Sequence, residues 1–132
     1  MIAAIALRRT ISIGTMLVTL YAAMPATAHR ATERFIPLGQ SPGVSHNFTV
    51  VGKIEAVDSG RRTVTVATPS GKLVVKIRKE ADIWIDRTKQ KQTSLDGAFV
   101  DLKSGRTIEV KFIDPDRKQV VEWVKIEAPL LP

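Results

Sequence analysis

The chain has 132 residues and carries 20 Lys and Arg against 13 Asp and Glu, a formal charge of +7. That is the length of one domain. The absence of Cys excludes disulfide scaffolds, thiolate metal sites and Cys nucleophiles, and two histidines leave little for a His-built metal cage or a conventional catalytic triad.

Residues 1–28 differ from everything after them. Arg8 and Arg9 precede an uncharged run, Ile11 to Ala23, then Pro25 and the small residues Ala26-Thr27-Ala28. A basic start, an apolar middle and a small-residue cleavage site are the parts of a secretory signal peptide. The apolar run is too short to cross ~30 Å of hydrocarbon as a helix, which disfavours the competing reading of an uncleaved anchor. The arginine pair raises twin-arginine export, but no Ser or Thr precedes it, so the general secretory route is the better match. Processing after Ala28 leaves 104 residues of charge +5, because both arginines and no acid leave with the signal. The expected location is periplasmic or secreted, with no transmembrane span after processing. The remaining chain has 21 Val and Ile against 6 Leu, a composition suited to pleated sheet.

Residues 29–46 contain prolines, glycines and no periodicity and read as a flexible N-terminal arm, with Phe35, Ile36 and Leu38 available to tack it onto a domain spanning 47–128. From Asn47 to Asp58, Phe48, Val50, Ile54 and Ala56 alternate onto one face, and Gly52 suggests a bulge or bend. A turn at Asp58–Arg61 leads to a second strand with Val64 and Val66 inward. Thr68–Gly71 turns into a third, with Leu73, Val75 and Ile77 inward, and Asp82–Asp86 extends it. The pattern then predicts a short helical segment from Ser94 to Lys103, weakened by Gly97. A strand with Ile108, Val110 and Phe112 inward follows. After a turn at Asp114–Arg117, a last strand sets Val120, Val124 and Ile126 on one face and Val121 and Trp123 on the other. Five strands about ten residues apart, with one short helix between the third and fourth, predict an all-β fold, a small five-stranded OB-like Greek-key barrel.

Val51–Asp58, Arg62–Val66 and Asp101–Val110 together resemble small bacterial periplasmic OB-like domains, mostly of uncharacterised function, with the periplasmic copper/silver-binding efflux chaperones among their relatives. The resemblance spans about residues 48–127 and implies fold more than activity. Those chaperones hold their ion with two Met, one His and a Trp. The processed chain contains no Met, so that metal site is not carried over.

Three constellations bear on function. Cleavage after Ala28 makes His29 the N-terminus, where its amino group and imidazole can chelate Cu(II), with His46 as a further nitrogen; the bland alternative is a histidine on a loose terminus. The basic segment Arg87, Lys89 and Lys91 beside Trp84 suits an anionic envelope component or an acidic protein face better than nucleic acid, which an exported protein rarely meets; the bland alternative is a solvated loop. Asp82, Asp86, Asp96 and Asp101 offer carboxylate pairs, but a barrel this small fills its interior with its own core, so no enzyme is expected. Trp84 and Trp123 either form an outward patch or receive the N-terminal arm. The sequence thus points to an exported, non-catalytic binding module without a required cofactor. Its alternatives are a copper-binding protein and an accessory subunit of a periplasmic enzyme or transport complex.

Overall fold

A computed structural model describes residues 32–41 and 49–130. The expected signal peptide, His29, His46 and Phe48 lie outside the described residues. The fold is all-β. Among the described residues seven strands form one sheet: β1 (Thr49–Asp58), β2 (Thr63–Thr68), β3 (Gly71–Lys76), β4 (Asp82–Asp86), β5 (Leu95–Asp96), β6 (Thr107–Phe112) and β7 (Val121–Glu127), in the order β3-β2-β1-β6-β7-β4-β5. All neighbours are antiparallel except β4 and β7, which run parallel.

That order forces the sheet to curl. β3 and β4 are joined by only residues 77–81, yet four strands lie between them in the sheet. Laid flat, the two would sit about 24 Å apart at the ~4.8 Å spacing of hydrogen-bonded strands. The link from Lys76 to Asp82 reaches at most about 22 Å fully extended, and it contains a turn in which the Ala81 N–H bonds to the Arg78 carbonyl. The inner face of the curled sheet carries the core: Ile54, Val64, Val66, Val75, Ile77, Ile83, Ile108, Val110, Phe112, Val121, Val124 and Ile126, with Leu102. Alternation delivers these side chains to one face because successive residues of a strand point to opposite sides.

Two irregularities break the expected alternation. The β1–β2 register shifts between Ile54 and Ala56. The extra residue flips the parity, so Ala56 is exposed and Val57 packs on the core instead. Gly52 serves a different purpose from a bulge. A Cβ there would lie 2.3 Å from the Ala67 carbonyl oxygen, so only glycine lets β2 pass this close. A second register shift, at Lys111/Phe112, opposes Phe112 to Val121 and Lys111 to Trp123. It turns Val121 into the core and leaves Val120 exposed, the reverse of the expected assignment.

The count of five strands and the helix are both corrected. The Asp82–Asp86 extension is a strand in its own right, at the far side of the sheet from β3. The segment expected to be helical holds the two-residue strand β5 and a single 3-10 turn, Phe99–Asp101. Gly97 explains why. Its N–H bonds to the Ile83 carbonyl at 2.8 Å, and a Cβ would stand 3.1 Å from both Ile83 and Ile85. The chain here is pressed against β4, and the Gly97 N–H spent on β4 is not available to a helix. Ser94 caps nothing; its hydroxyl is buried with no hydrogen-bond partner among the described residues.

Candidate functional site

The parallel β4–β7 pair ends at Asp86 and Glu127, and three segments meet there. Asp86 leads into Arg87 and a 3-10 turn, Thr88–Gln90; Glu127 leads into Ala128 and Pro129; and the loop Leu102–Arg106 arrives before β6. The Ala128 N–H donates to the Asp86 carbonyl at 2.8 Å, and the Gln90 amide donates to the Pro129 carbonyl at 2.6 Å, so the tail is stitched along the turn. Between these segments opens a groove of about 350 Å³. Ile85, Leu95 and Ile126 give it an apolar floor, and Arg87, Lys103 and Arg106 supply cations, with Asp101 the lone acid. The Asp101 carboxylate is engaged with the Ala98 N–H at 2.7 Å. Past Arg106 a second, shallower hollow continues over Lys53, Lys89 and Glu127. Lys89 there is paired with Glu127 at 2.6 Å.

Arg87 is held rather than loose: its Nε donates to the Thr93 carbonyl at 2.7 Å and its Nη1 to Gln92 Oε1 at 3.0 Å. Arg106 reaches the Glu127 carbonyl at 3.4 Å. Gly105, at φ +88°, turns the chain so that Arg106 enters the groove mouth, a backbone geometry that glycine adopts without strain. Such a site, an apolar floor beneath several guanidinium and ammonium groups, suits an anion carried on an apolar group.

Of the residues singled out from sequence, the structure brings Arg87 into the groove and Lys89 to its extension. Lys91 lies on the other side of the Arg87–Ser94 segment, in a separate hollow with Arg34, Phe35 and Pro37. Trp84 is only 5% exposed and cannot act as a surface platform. It sits 5.5 Å from Trp123, which is wholly buried. Lys103 and Arg106 were not singled out. Their signal was the basic turn Lys103-Ser104-Gly105-Arg106 before a strand, which becomes a site only once β6 lies beside β7.

The tryptophans are covered by residues 32–41 of the N-terminal arm, which are fastened to the sheet rather than loose. Glu33 bonds to Lys111 and to the Trp123 indole N–H. Lys125 Nζ donates to the Ile36 carbonyl at 2.8 Å and to Ser41 Oγ at 3.0 Å. The Gly39 N–H donates to Glu109 Oε2 at 2.7 Å, and the Leu38 N–H donates to Asp86. Lys125 also lies 4.6 Å from the centre of the Trp123 ring, within range of a cation–π contact. Phe35, one of the apolar residues expected to anchor the arm, is 61% exposed. Polar side chains of the sheet grip the backbone of the strap. Burial pushes the Lys125 ammonium below the usual lysine range, against the upward pull of Glu109, Asp86 and Glu33, with Lys111 adding to the depression.

Among the described residues no group of three His, Cys, Asp or Glu side chains is placed to hold a metal ion, and no helix is long and apolar enough to cross a membrane. Comparison with protein-family models, with curated proteins and with solved structures finds no match to this chain.

Proposed function

We propose that the chain is an exported, non-catalytic binding module that takes an amphipathic anion, a carboxylate or phosphate borne on an apolar group, in the groove between Arg87, Lys103 and Arg106. The observation that carries this reading is that Arg87, Lys103 and Arg106 line one groove together with the apolar Ile85, Leu95 and Ile126. Charge alone would describe any basic surface. An apolar floor beside the charges favours a ligand with both properties. The export reading rests on the three-part pattern of residues 1–28.

The fold reading that goes with it is OB-like. It rests on counting β3 and β4 as two stretches of one strand, which would turn the order β2-β1-β6-β7, with β4 beside β7, into that of a five-stranded Greek-key barrel. In such barrels the loops around one end and the adjoining strands commonly take the ligand.

The test is a titration followed by amide chemical shifts with three probes: octyl phosphate, inorganic phosphate and octanol. Octyl phosphate binds tightest, with shifts confined to Ile85–Gln90, Leu95 and Lys103–Arg106. Arg106→Ala weakens it about tenfold or more, the worth of one charge-assisted hydrogen bond. Equal binding of octanol and octyl phosphate, or an unchanged affinity in Arg106→Ala, refutes the reading. The export half is tested by N-terminal sequencing of protein recovered from the cell envelope, which should begin at His29.

A further inference from the structure

The segment that forms one wall of the groove is held from behind by the strap. Residues Asp86 to Ser94 separate two hollows: the groove, and a space of about 390 Å³ lined by Arg34, Phe35 and Pro37 together with Asp86, Thr88 and Lys91. The strap touches this wall at both ends. At its start, Asp86 accepts the Leu38 N–H with one carboxylate oxygen and the Thr88 N–H, at 2.7 Å, with the other. One buried carboxylate thus ties the strap to the first residue of the turn that carries Lys89 and Gln90. At the far end, Arg34 pairs with Asp96 at 3.1 Å and makes a long 3.5 Å contact to the Ser94 carbonyl, next to Leu95 on the groove floor. Asp86 is 9% exposed and Asp96 is mostly exposed, so the Asp86 link carries most of the hold.

Apart from the strap, the wall is tied by Lys89 to Glu127, by Gln90 to the Pro129 carbonyl and by Arg87 to Thr93 and Gln92, all of them exposed contacts. Among the described residues, β5 pairs only at Leu95 and Asp96, and the Thr88–Gln90 turn buries no residue of its own. Short turns with few buried contacts belong to the low-stability end of a fold, and an external tether decides how well they are ordered.

We propose that residues 32–41 are a brace for the groove: docked, they hold the Arg87–Asp96 wall in the position that accepts an anion, and an anion bound there holds the brace in place. This inference rests on the groove reading above. Linkage makes the two effects equal in size: if docking the strap raises anion affinity by some factor, a bound anion stabilises the docked strap by the same factor. Asp86 is the positioning residue through which strap and wall communicate; it does not line the groove.

The test uses Glu33→Ala in the full chain. Glu33 bonds to Lys111 and Trp123, none of which lines the groove, and it immediately precedes Arg34, which touches the wall. Removing an acid raises the net positive charge, so electrostatics alone predicts anion binding that is unchanged or tighter. The brace predicts the opposite sign. Without ligand, amide exchange at Lys91 and Gly97, whose N–H groups bond within or behind the wall, speeds up about tenfold, while Ile108 and Val110 in the core keep their protection. With ligand, octyl phosphate binds about fivefold or more weakly than to the parent chain, the lower end of ordinary coupling energies. In the parent chain, saturating octyl phosphate slows exchange at Leu38 and Gly39 by the same factor. Unchanged protection of the wall in Glu33→Ala overturns the brace, and so does faster exchange with unchanged or tighter binding. If the parent chain shows no binding of octyl phosphate, the groove reading fails and the inference falls with it. Binding by the parent that Glu33→Ala leaves intact condemns the brace alone.

Discussion

The two faces of β4, β6 and β7 are both buried, but for opposite reasons. The inner face holds Ile83, Ile108, Val110, Phe112, Val124 and Ile126, and water is excluded by apolar packing across the curled sheet. The outer face of the same strands holds Trp84, Glu109, Trp123 and Lys125, and water is excluded by the strap. On the first face energy comes from area and shape and tolerates rearrangement within the constraint of volume. On the second, each buried charge must find its partner, and Glu109 finds only part of its complement: Oε2 takes the Gly39 N–H while Oε1 is buried with no hydrogen-bond partner among the described residues. The contrast means that substitutions of equal size should fail in different ways on the two faces.

The largest effects come from single truncations. Phe112→Ala on the inner face removes a fully buried ring and costs about 3–5 kcal/mol. Lys125→Ala on the outer face costs a similar ~3–5 kcal/mol, because it strands the buried Glu109 that opposes it across the β6–β7 ladder. Urea unfolding measures both. The faces separate at the next step. Replacing both charges together, Glu109→Leu with Lys125→Met, recovers the part of the Lys125→Ala loss that comes from the stranded carboxylate, but not the bonds to Ile36, Ser41 and Gly39 of the strap. A double variant as unstable as the sum of its single substitutions would mean that the outer face is held by packing after all. The next effect in size is Glu33→Ala, which removes one charge-assisted partner of Lys111 and of the Trp123 indole and costs about 1.5–3 kcal/mol. Tryptophan emission should shift to the red as Trp123 meets water. An unshifted spectrum would show that the strap does not shield that ring.

The same contrast decides what could be read from the sequence. Val64, Val66, Leu73, Val75, Ile77, Ile108, Val110 and Phe112 stood out by alternation, and the structure turns all of them toward the core. Alternation is local, so it survives without knowledge of the partner strand. It failed at Ala56 and Val120, where one extra residue in β1 and in β7 reverses the parity. A bulge is a property of a pair of strands, invisible in either alone. The segment 94–103 looked helical because Ser94 resembles a cap. What overrides that pattern is the contact of Gly97 with β4. For the groove, Arg87 and Lys89 were visible as a basic stretch, whereas Lys103 and Arg106 come from a loop that only the β6–β7 pairing brings alongside. The strap was legible as an arm, but its attachment was not. Its anchors, Glu109, Lys111 and Lys125, look like ordinary solvent-facing charges of alternating strands. Glu109 and Lys125 are buried, and Lys111 half-buried, where a segment some seventy to ninety positions earlier lies over them.

The smallest effect, and the finest probe of the outer face, is the alkaline pH dependence of stability. Lys125 begins in the unfolded chain at the ordinary lysine value of 10.5, and burial lowers it in the folded chain, partly offset by Glu109, Asp86 and Glu33. Below the folded value both states hold the proton, and the cost of burying the ammonium is carried in full. Between the folded value and 10.5 the unfolded chain binds more protons than the folded one, so stability contributed by this group rises with pH. Other lysines titrate in the same window and hide the trend in a single profile. The difference between the parent chain and Lys125→Met isolates it, because the two share every other titrating lysine. That difference should move in favour of the parent as the pH climbs toward 10.5, read from urea midpoints at constant ionic strength. A flat difference would place Lys125 in contact with water and the strap off the sheet. A difference moving the other way would mean that its carboxylate neighbours outweigh its burial, so that the outer face is held by ion pairing more strongly than the geometry of Ile36, Ser41 and Trp123 around the ammonium implies.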